Sequence, residues 1–385
     1  MDHVHFEGVA DGGEAKVAYT ARRLLDVGYG TLRPLRVRTG EHRPRRGDLV
    51  LCRVTGIGQH RFLGQRDGAR SRLFPGDGVV VVYGDRYAPD QFEAVVPDHL
   101  GPCHLAAGGG IAATVVSRHA SMLPPTALRP VGLVAGESGA TLNLRALAHP
   151  LGADGPVRPP TVAVLGTSMN AGKSTAAASL VRGLVRAGRR VGGAKVTGTG
   201  APGDPVLLAD AGAACVVDFT DFGFPSTYRL EAAEVLGVLR AAVAHLARQC
   251  VDAIVLEVAD GILQRETSFL LGTGTFRRRV GGVLFAAPDA VSAVAGSRYL
   301  AGQGLPVRAV GGVFTASPLA VAEAAELLEV PVYGSADLSE PAVAASVLTG
   351  APAVPAARVP DRAVPQVPEP GGRQLTGSGV GDAVR

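Results

Sequence analysis

The sequence predicts an α/β protein in which a mostly parallel sheet covered by helices fills the C-terminal part and a smaller β-rich, barrel-like domain precedes it. Three observations lead there. Past residue 160, short apolar runs alternate with longer helical stretches, the pattern of a parallel sheet. Before residue 150, short β-like runs recur between turn residues, the texture of a small barrel or sandwich. Between the two, residues 151–160 read LGADGPVRPP, the composition of a linker. The expected organisation is a domain over 1–150, the linker, a second domain over 161–350 and a tail over 351–385.

Taken in order, Glu14–Val27 is expected to form a short helix ending at Gly28. β-like runs follow at Asp48–Val54, Gly78–Tyr83 and Gln91–Val96, separated by breakers such as Pro75-Gly76-Asp77 and Pro89-Asp90. Gly101–Leu144, rich in Gly and Ala, reads as irregular. Beyond the linker, strands are expected at Val162–Leu165, Val191–Val196, Ala214–Phe219, Ala253–Val258, Gly282–Ala286, Val307–Val310 and Val330–Tyr333. Helices are expected at Ser174–Ala187, Arg229–Gln249, Ala290–Leu300 and Pro318–Leu328. The last 35 residues carry six prolines and no periodicity, the composition of a disordered tail.

Hydrophobic residues make up 46% of the 385 and charged residues 19%, which describes a globular chain with ample core. The start, MDHVHFEGVADGG, lacks a basic segment followed by an apolar one, so no secretory signal is expected. The longest apolar candidate, Gly281–Gly296, is broken by Pro288 and Asp289 and is too short to span a bilayer. Cys52, Cys103, Cys215 and Cys250 form no C-x-x-C pair, and a reducing cytoplasm is the expected location. A net charge of +4 is too small to argue for nucleic acid. The expected partners are a small-molecule substrate and further copies of the chain, with neither nucleic acid nor membrane.

The chemistry centres on Thr161–Thr175, TVAVLGTSMNAGKST. An apolar strand, a glycine-bearing turn and a helix opening at Lys173-Ser174-Thr175 form the geometry of a phosphate-binding P-loop. Backbone N–H groups and the positive helix end face the anion, and the lysine reaches the outer phosphates. Gly166, Thr167, Ser168, Asn170, Ala171, Gly172, Lys173, Ser174 and Thr175 are the candidate nucleotide contacts, with the first glycine one residue earlier than the standard pattern requires. The lysine count sharpens this. Of 38 basic residues only Lys16, Lys173 and Lys195 are lysines, so a lysine marks a place where a compact ammonium is wanted.

Two further strand ends point at the same place. Ile254–Gly261, IVLEVADG, ends an apolar strand in acid, where a metal-holding carboxylate is expected; Glu257 is the first choice and Asp260 the second. Lys195-Val196-Thr197-Gly198-Thr199-Gly200 ends the strand after the P-loop helix. There Lys195, Thr197 and Thr199 are candidate substrate contacts, with Asp204 close behind. Ligands of such sheets sit beyond the C-terminal strand ends, where these groups would gather. Arg265 is a candidate for stabilising a transferring phosphoryl group. The aromatic stretch Asp218–Tyr228 reads equally as a lid or as a loop packed on the sheet. Eight of nine histidines fall before residue 150, and Asp98–His104 gathers His99, Cys103 and His104 without a metal-binding spacing; a polar loop is the favoured reading.

Together these motifs resemble the P-loop branch that contains dethiobiotin synthetase, cobyrinic acid synthase and the molybdopterin-guanine dinucleotide biosynthesis adaptor. The early glycine is similar to that of the dethiobiotin synthetase loop, and K-V-T-G-T-G at 195–200 is similar to its K-x-x-x-S-G. Lys195, Thr197, Gly203-Asp204 and Ala211-Gly212-Ala213 are similar to the adaptor pattern. The chain also resembles a poorly described P-loop family, some members of which are D-glutamate N-acetyltransferases. The likeness covers roughly residues 160–335. Dethiobiotin synthetase places a metal-binding aspartate where this chain has Ser168, which leaves Asp204 or Asp260 to supply a carboxylate.

The resemblance implies ATP and Mg²⁺ as cofactors, with Ser174 and Glu257 on the metal. With no further lysine, the guanine-selecting N-K-x-D loop is ruled out, which also favours ATP. The expected activity is ATP-dependent phosphoryl transfer that activates a small acid or carbamate, of ligase or kinase-like type, with Lys173, Lys195, Glu257 and Arg265 as catalytic candidates. Two alternatives stay open: a nucleotide-binding adaptor in cofactor biosynthesis, and a CoA-dependent N-acyltransferase whose loop grips pyrophosphate.

Overall fold

Two sheets organise the chain, and both belong to one unit spanning Met1–Ala353. The computed structural model describes residues 2–7, 13–151 and 159–351. The expected tail and most of the expected linker lie outside the described residues.

The first sheet and its hairpin use strands β1 (His3–His5), β2 (Glu14–Val17), β3 (Arg36–Arg38), β4 (Leu49–Gly56), β5 (Phe62–Gly64), β6 (Arg70–Arg72), β7 (Gly78–Tyr83), β8 (Phe92–Val95), β9 (Cys103–Ala107), β10 (Ile111–Arg118) and β11 (Thr126–Ala135). The pairings β7–β4–β11–β9–β10 return from β10 to β7, so the sheet closes on itself as a barrel. Val50, Cys52, Val81, Leu105, Ala112 and Leu128 pack inside one core cluster. β5 and β6 form a separate hairpin.

Two expectations fail here. Glu14–Val27 is not a helix: its first part is β2, which adds to β7 at Lys16↔Val79 and Val17↔Val80. Only Tyr19–Ala21 (a 3₁₀ turn) and α1 (Arg23–Asp26) are helical. Ala15 and Val17 are buried two apart, so the strand period prevails over local helix propensity. Gly101–Leu144 is not irregular, since it supplies β9, β10 and β11. Its alanines hid the strands: Ala106, Ala107, Ala112 and Ala113 are buried, yet alanine carries no strand preference.

The second sheet holds β12 (Thr161–Gly166), β13 (Val191–Thr197), β14 (Cys215–Asp218), β15 (Ala253–Val258), β16 (Gly282–Ala286) and β17 (Val307–Gly311) in the order β14-β13-β15-β12-β16-β17, all parallel. Its helices are α2 (Lys173–Arg186), α3 (Gly203–Asp210), α4 (Ala232–Arg248), α5 (Arg265–Leu271), α6 (Gly274–Arg279), α7 (Ala290–Gly302), α8 (Pro318–Ala325), α9 (Ser335–Leu338) and α10 (Pro341–Thr349). Along β12 the side chains alternate between two cores. Val162 and Val164 join α2 and α10, whereas Ala163 and Leu165 join α4 and α7. Burial on both faces is what a parallel sheet requires. Val330–Tyr333, expected as a strand, makes only a bridge at Val310↔Val332, because Pro331 has no N–H to continue a ladder. The glycine-rich connection after β13 contains α3, which the sequence pattern does not announce.

No helix among the described residues is long and apolar enough to cross a membrane. The barrel is fastened to the second sheet by buried polar contacts. Tyr19 donates to Asp218 at 2.8 Å, and Arg22 pairs with Asp221 at 2.7 Å and Asp218 at 3.3 Å.

Candidate functional site

The site grows from the end of β12. A Cβ at Gly166 would lie 2.7 Å from the Lys173 Cγ and 3.1 Å from the Ala286 carbonyl, so only glycine lets the lysine fold back over the strand end. Gly172 begins α2 in the left-handed region at φ +94°, and a Cβ there would meet the Gly312 and Val313 backbone at 3.0 Å. Asn170 is also left-handed, at φ +60°. The loop therefore curls around Lys173, whose Nζ donates to the Ser168 carbonyl at 2.7 Å. Burial lowers the pKa of this ammonium, against the pull of Glu257 and Asp260.

β15 places Glu257 beside both neighbouring strands, opposite Val164 of β12 and Lys195 of β13. Ser174 Oγ donates to Glu257 Oε1 at 3.0 Å, while Oε2 is buried without a hydrogen-bond partner among the described residues. Burial, reinforced by the Asp204 charge, pushes the Glu257 carboxyl up to about 7. Lys195, 8% exposed, is paired with Asp204 at the start of α3. Burial alone would lower the pKa of Lys195; Asp204 and Glu257 outweigh it and hold the ammonium above its ordinary value. Asp204 is correspondingly lowered despite its own burial.

Lys173, Ser174, Lys195, Asp204, Glu257 and Asp260 line one polar cavity of about 390 Å³. A second cavity, of about 550 Å³, adjoins it past Gly172 and Thr175, walled by Val313, Tyr333 and Asp337. The structure thus brings together nearly all of the predicted charged groups. Thr199 stands aside, in a narrow cleft with Tyr87, Tyr228 and Asp260. Thr197 is buried, and its hydroxyl has no partner among the described residues. Arg265 is exposed at the start of α5 and does not line the phosphate cavity. The aromatics Phe219, Phe222 and Phe224 pack into the core, so that stretch is a packed loop, with Tyr228 alone facing the cleft.

His99, Cys103 and His104 do not converge. Cys103 is inside the barrel, His104 accepts from the Val115 N–H, and His99 accepts from the Gly101 N–H on the surface. Sequence reasoning missed Tyr87 and Asp90, both from the barrel, and the wall of the second cavity. Nothing local marks the barrel residues, because only tertiary packing brings the loop between β7 and β8 to the P-loop.

No family model matches the chain, and no curated protein matches it. Solved structures with partial likeness include the signal recognition particle receptor FtsY from Elizabethkingia anophelis, at 16% identity over 46% of this chain and 58% of that one, with a TM-score of 0.31. The signal recognition particle 54 kDa protein from Aeropyrum pernix K1, in complex with GDP, is 16% identical over 49% of this chain and 44% of that one, with a TM-score of 0.34. The septum site-determining protein MinD from Pyrococcus horikoshii OT3, complexed with Mg-ADP, is 14% identical over 50% of this chain and 87% of that one, with a TM-score of 0.30. This chain's own sheet order, loop geometry and strand-end lysine and carboxylate define its C-terminal half as a P-loop α/β fold.

Proposed function

We propose that the chain binds Mg·ATP and transfers the γ-phosphoryl group to a small acid or carbamate. The observation that carries this reading is the convergence of Lys173, Ser174, Lys195, Asp204 and Glu257 on one cavity at the head of α2. The phosphates would lie over the loop backbone, with Lys173 exchanging the Ser168 carbonyl for phosphate oxygen. The nucleoside would extend past Thr175 into the adjoining cavity.

The residues fit a magnesium ion. Ser174 Oγ and the orphaned Glu257 Oε2 are hard oxygen donors, and Mg²⁺ takes few protein ligands when phosphates and water complete its shell. Asp204 and Asp260 line the same cavity. When bound, the ion would neutralise charge on the phosphates. Lys195 would face the anion of the acceptor or the charge developing on the γ-phosphoryl group. In the transfer, the acceptor oxygen forms a bond to phosphorus as the bridging P–O bond breaks, and ADP leaves with the electron pair.

The test is nucleotide binding by calorimetry together with ATP turnover against a panel of small carboxylates, and of small amines in bicarbonate buffer to supply carbamates. Lys173→Ala should lower turnover by roughly 10²–10³-fold with unchanged circular dichroism. Full binding and turnover in that variant would refute the reading. Magnesium-independent binding of acetyl-CoA would replace it with acyl transfer, and binding without stimulated turnover would replace it with an adaptor role.

A further inference from the structure

Among the described residues, a side-chain hydrogen bond joins the barrel to the P-loop. The loop between β7 and β8, residues 84–91, is tied to β8 by reciprocal backbone bonds between Arg86 and Ala94 at 2.8 and 3.0 Å. The Arg86 guanidinium, 5% exposed, adds bonds to the Ala106 carbonyl and to Gln91 Oε1. From this loop, Asp90 Oδ2 accepts from Asn170 Nδ2 at 2.6 Å. Asn170 sits at the crest of the P-loop in the left-handed region. Ser168 and Asn170 are exposed there, and this bond is the side-chain hydrogen bond of Asn170 among the described residues.

The chemistry of this contact is unexpected. Asp90 sets a carboxylate against a loop built to receive phosphate, where its charge opposes an anion. A group placed there for its charge would be a cation. Its hydrogen bond, in contrast, holds an asparagine in the backbone conformation the loop needs, and does so from a different sheet.

We propose that Asp90 is a positioning residue for the phosphate loop: the barrel braces the loop through the Asp90–Asn170 hydrogen bond, and nucleotide affinity depends on that brace. The proposal rests on the reading that the loop holds nucleotide phosphates. The barrel is then part of the nucleotide site, and anything that shifts the loop between β7 and β8 lowers affinity. Because the bond and not the charge matters, Asp90→Asn keeps the brace through its amide oxygen, whereas Asp90→Ala removes it.

The experiment uses the full chain, with ATP affinity from calorimetry and hydrogen exchange over residues 166–172 in nucleotide-free protein. Asp90→Ala and Asn170→Gly should each weaken ATP by roughly tenfold, the double variant no further, and Asp90→Asn should bind as well as the parent or better. Loop exchange should quicken in Asp90→Ala and not in Asp90→Asn. Unchanged affinity in Asp90→Ala, or additive losses in the double variant, would overturn the proposal. Loss of affinity in Asp90→Asn equal to that in Asp90→Ala would also overturn it. Were the parent to bind no nucleotide, the functional reading above would fall, and unchanged loop exchange in Asp90→Ala would still sink the brace on its own.

Discussion

The two sheets solve their burial problem in opposite ways. The parallel sheet is covered by helices on both faces, so its strands are continuous apolar runs, and its chemistry sits at the strand ends on Gly166, Lys195 and Glu257. The barrel covers itself by closing, fills its interior largely with leucine and valine, and meets the neighbouring sheet through polar contacts such as Arg22 with Asp218 and Asp221. One carries the cavity, and the other touches its loop through the Asp90–Asn170 hydrogen bond. A chain can therefore write its reactive groups into a regular, readable half and their support into a half with little local signature.

That division can be tested where the halves meet. The largest expected effect is on stability: Arg22→Ala leaves Asp218 and Asp221 buried without their cation and should cost about 3–5 kcal/mol, read from urea unfolding. An unchanged midpoint would mean that the barrel is merely apposed.

Next comes Glu257→Gln. The folded protein holds a proton on Glu257 up to about pH 7, whereas the unfolded chain releases it near the ordinary value of 4.5. The folded state therefore binds more protons across that window, and stability falls as pH rises from about 4.5 through about 7. Glu257→Gln should flatten this slope and raise the melting temperature at neutral pH, while abolishing the strengthening of Mg·ATP binding as pH approaches 7. A melting curve with the parent's pH slope would contradict the assignment.

Gly109→Ala probes the same junction more gently. The new Cβ would stand 2.0 Å from the Gly200 carbonyl, and relief of that overlap should cost about 1–3 kcal/mol in thermal unfolding. The smallest effect is expected for Arg265→Ala. Its exposed side chain lies off the cavity, so turnover should change by less than about twofold. A drop of a hundredfold would return Arg265 to the mechanism.

How much was legible follows the same boundary. The strands Ala253–Val258 and Gly282–Ala286 and the helix after Gly172 could be read nearly to the residue, because apolar period and glycine position are local signals. Lys195 was marked by the scarcity of lysine and by its place at the end of the strand that follows the P-loop helix. β9 to β11 were hidden because alanine has no strand preference, and β2 was hidden because the pairing that joins it to the barrel, with β7, lies far along the chain. The Lys195–Asp204 pair needed α3, which has too few turns to announce itself.

The sequence by itself determined a phosphate-cradling loop, an acid and a lysine at strand ends, and the alternation that sets them on one edge of a parallel sheet, since each is a matter of spacing along a few neighbouring residues. Only the tertiary structure decided that Glu257 shares Ser174 and keeps a buried oxygen unpaired, that Arg265 lies apart, and that Asp90 leans on Asn170. Those facts depend on which distant segments pack together, and closure of a barrel onto a second sheet leaves no periodic trace in either.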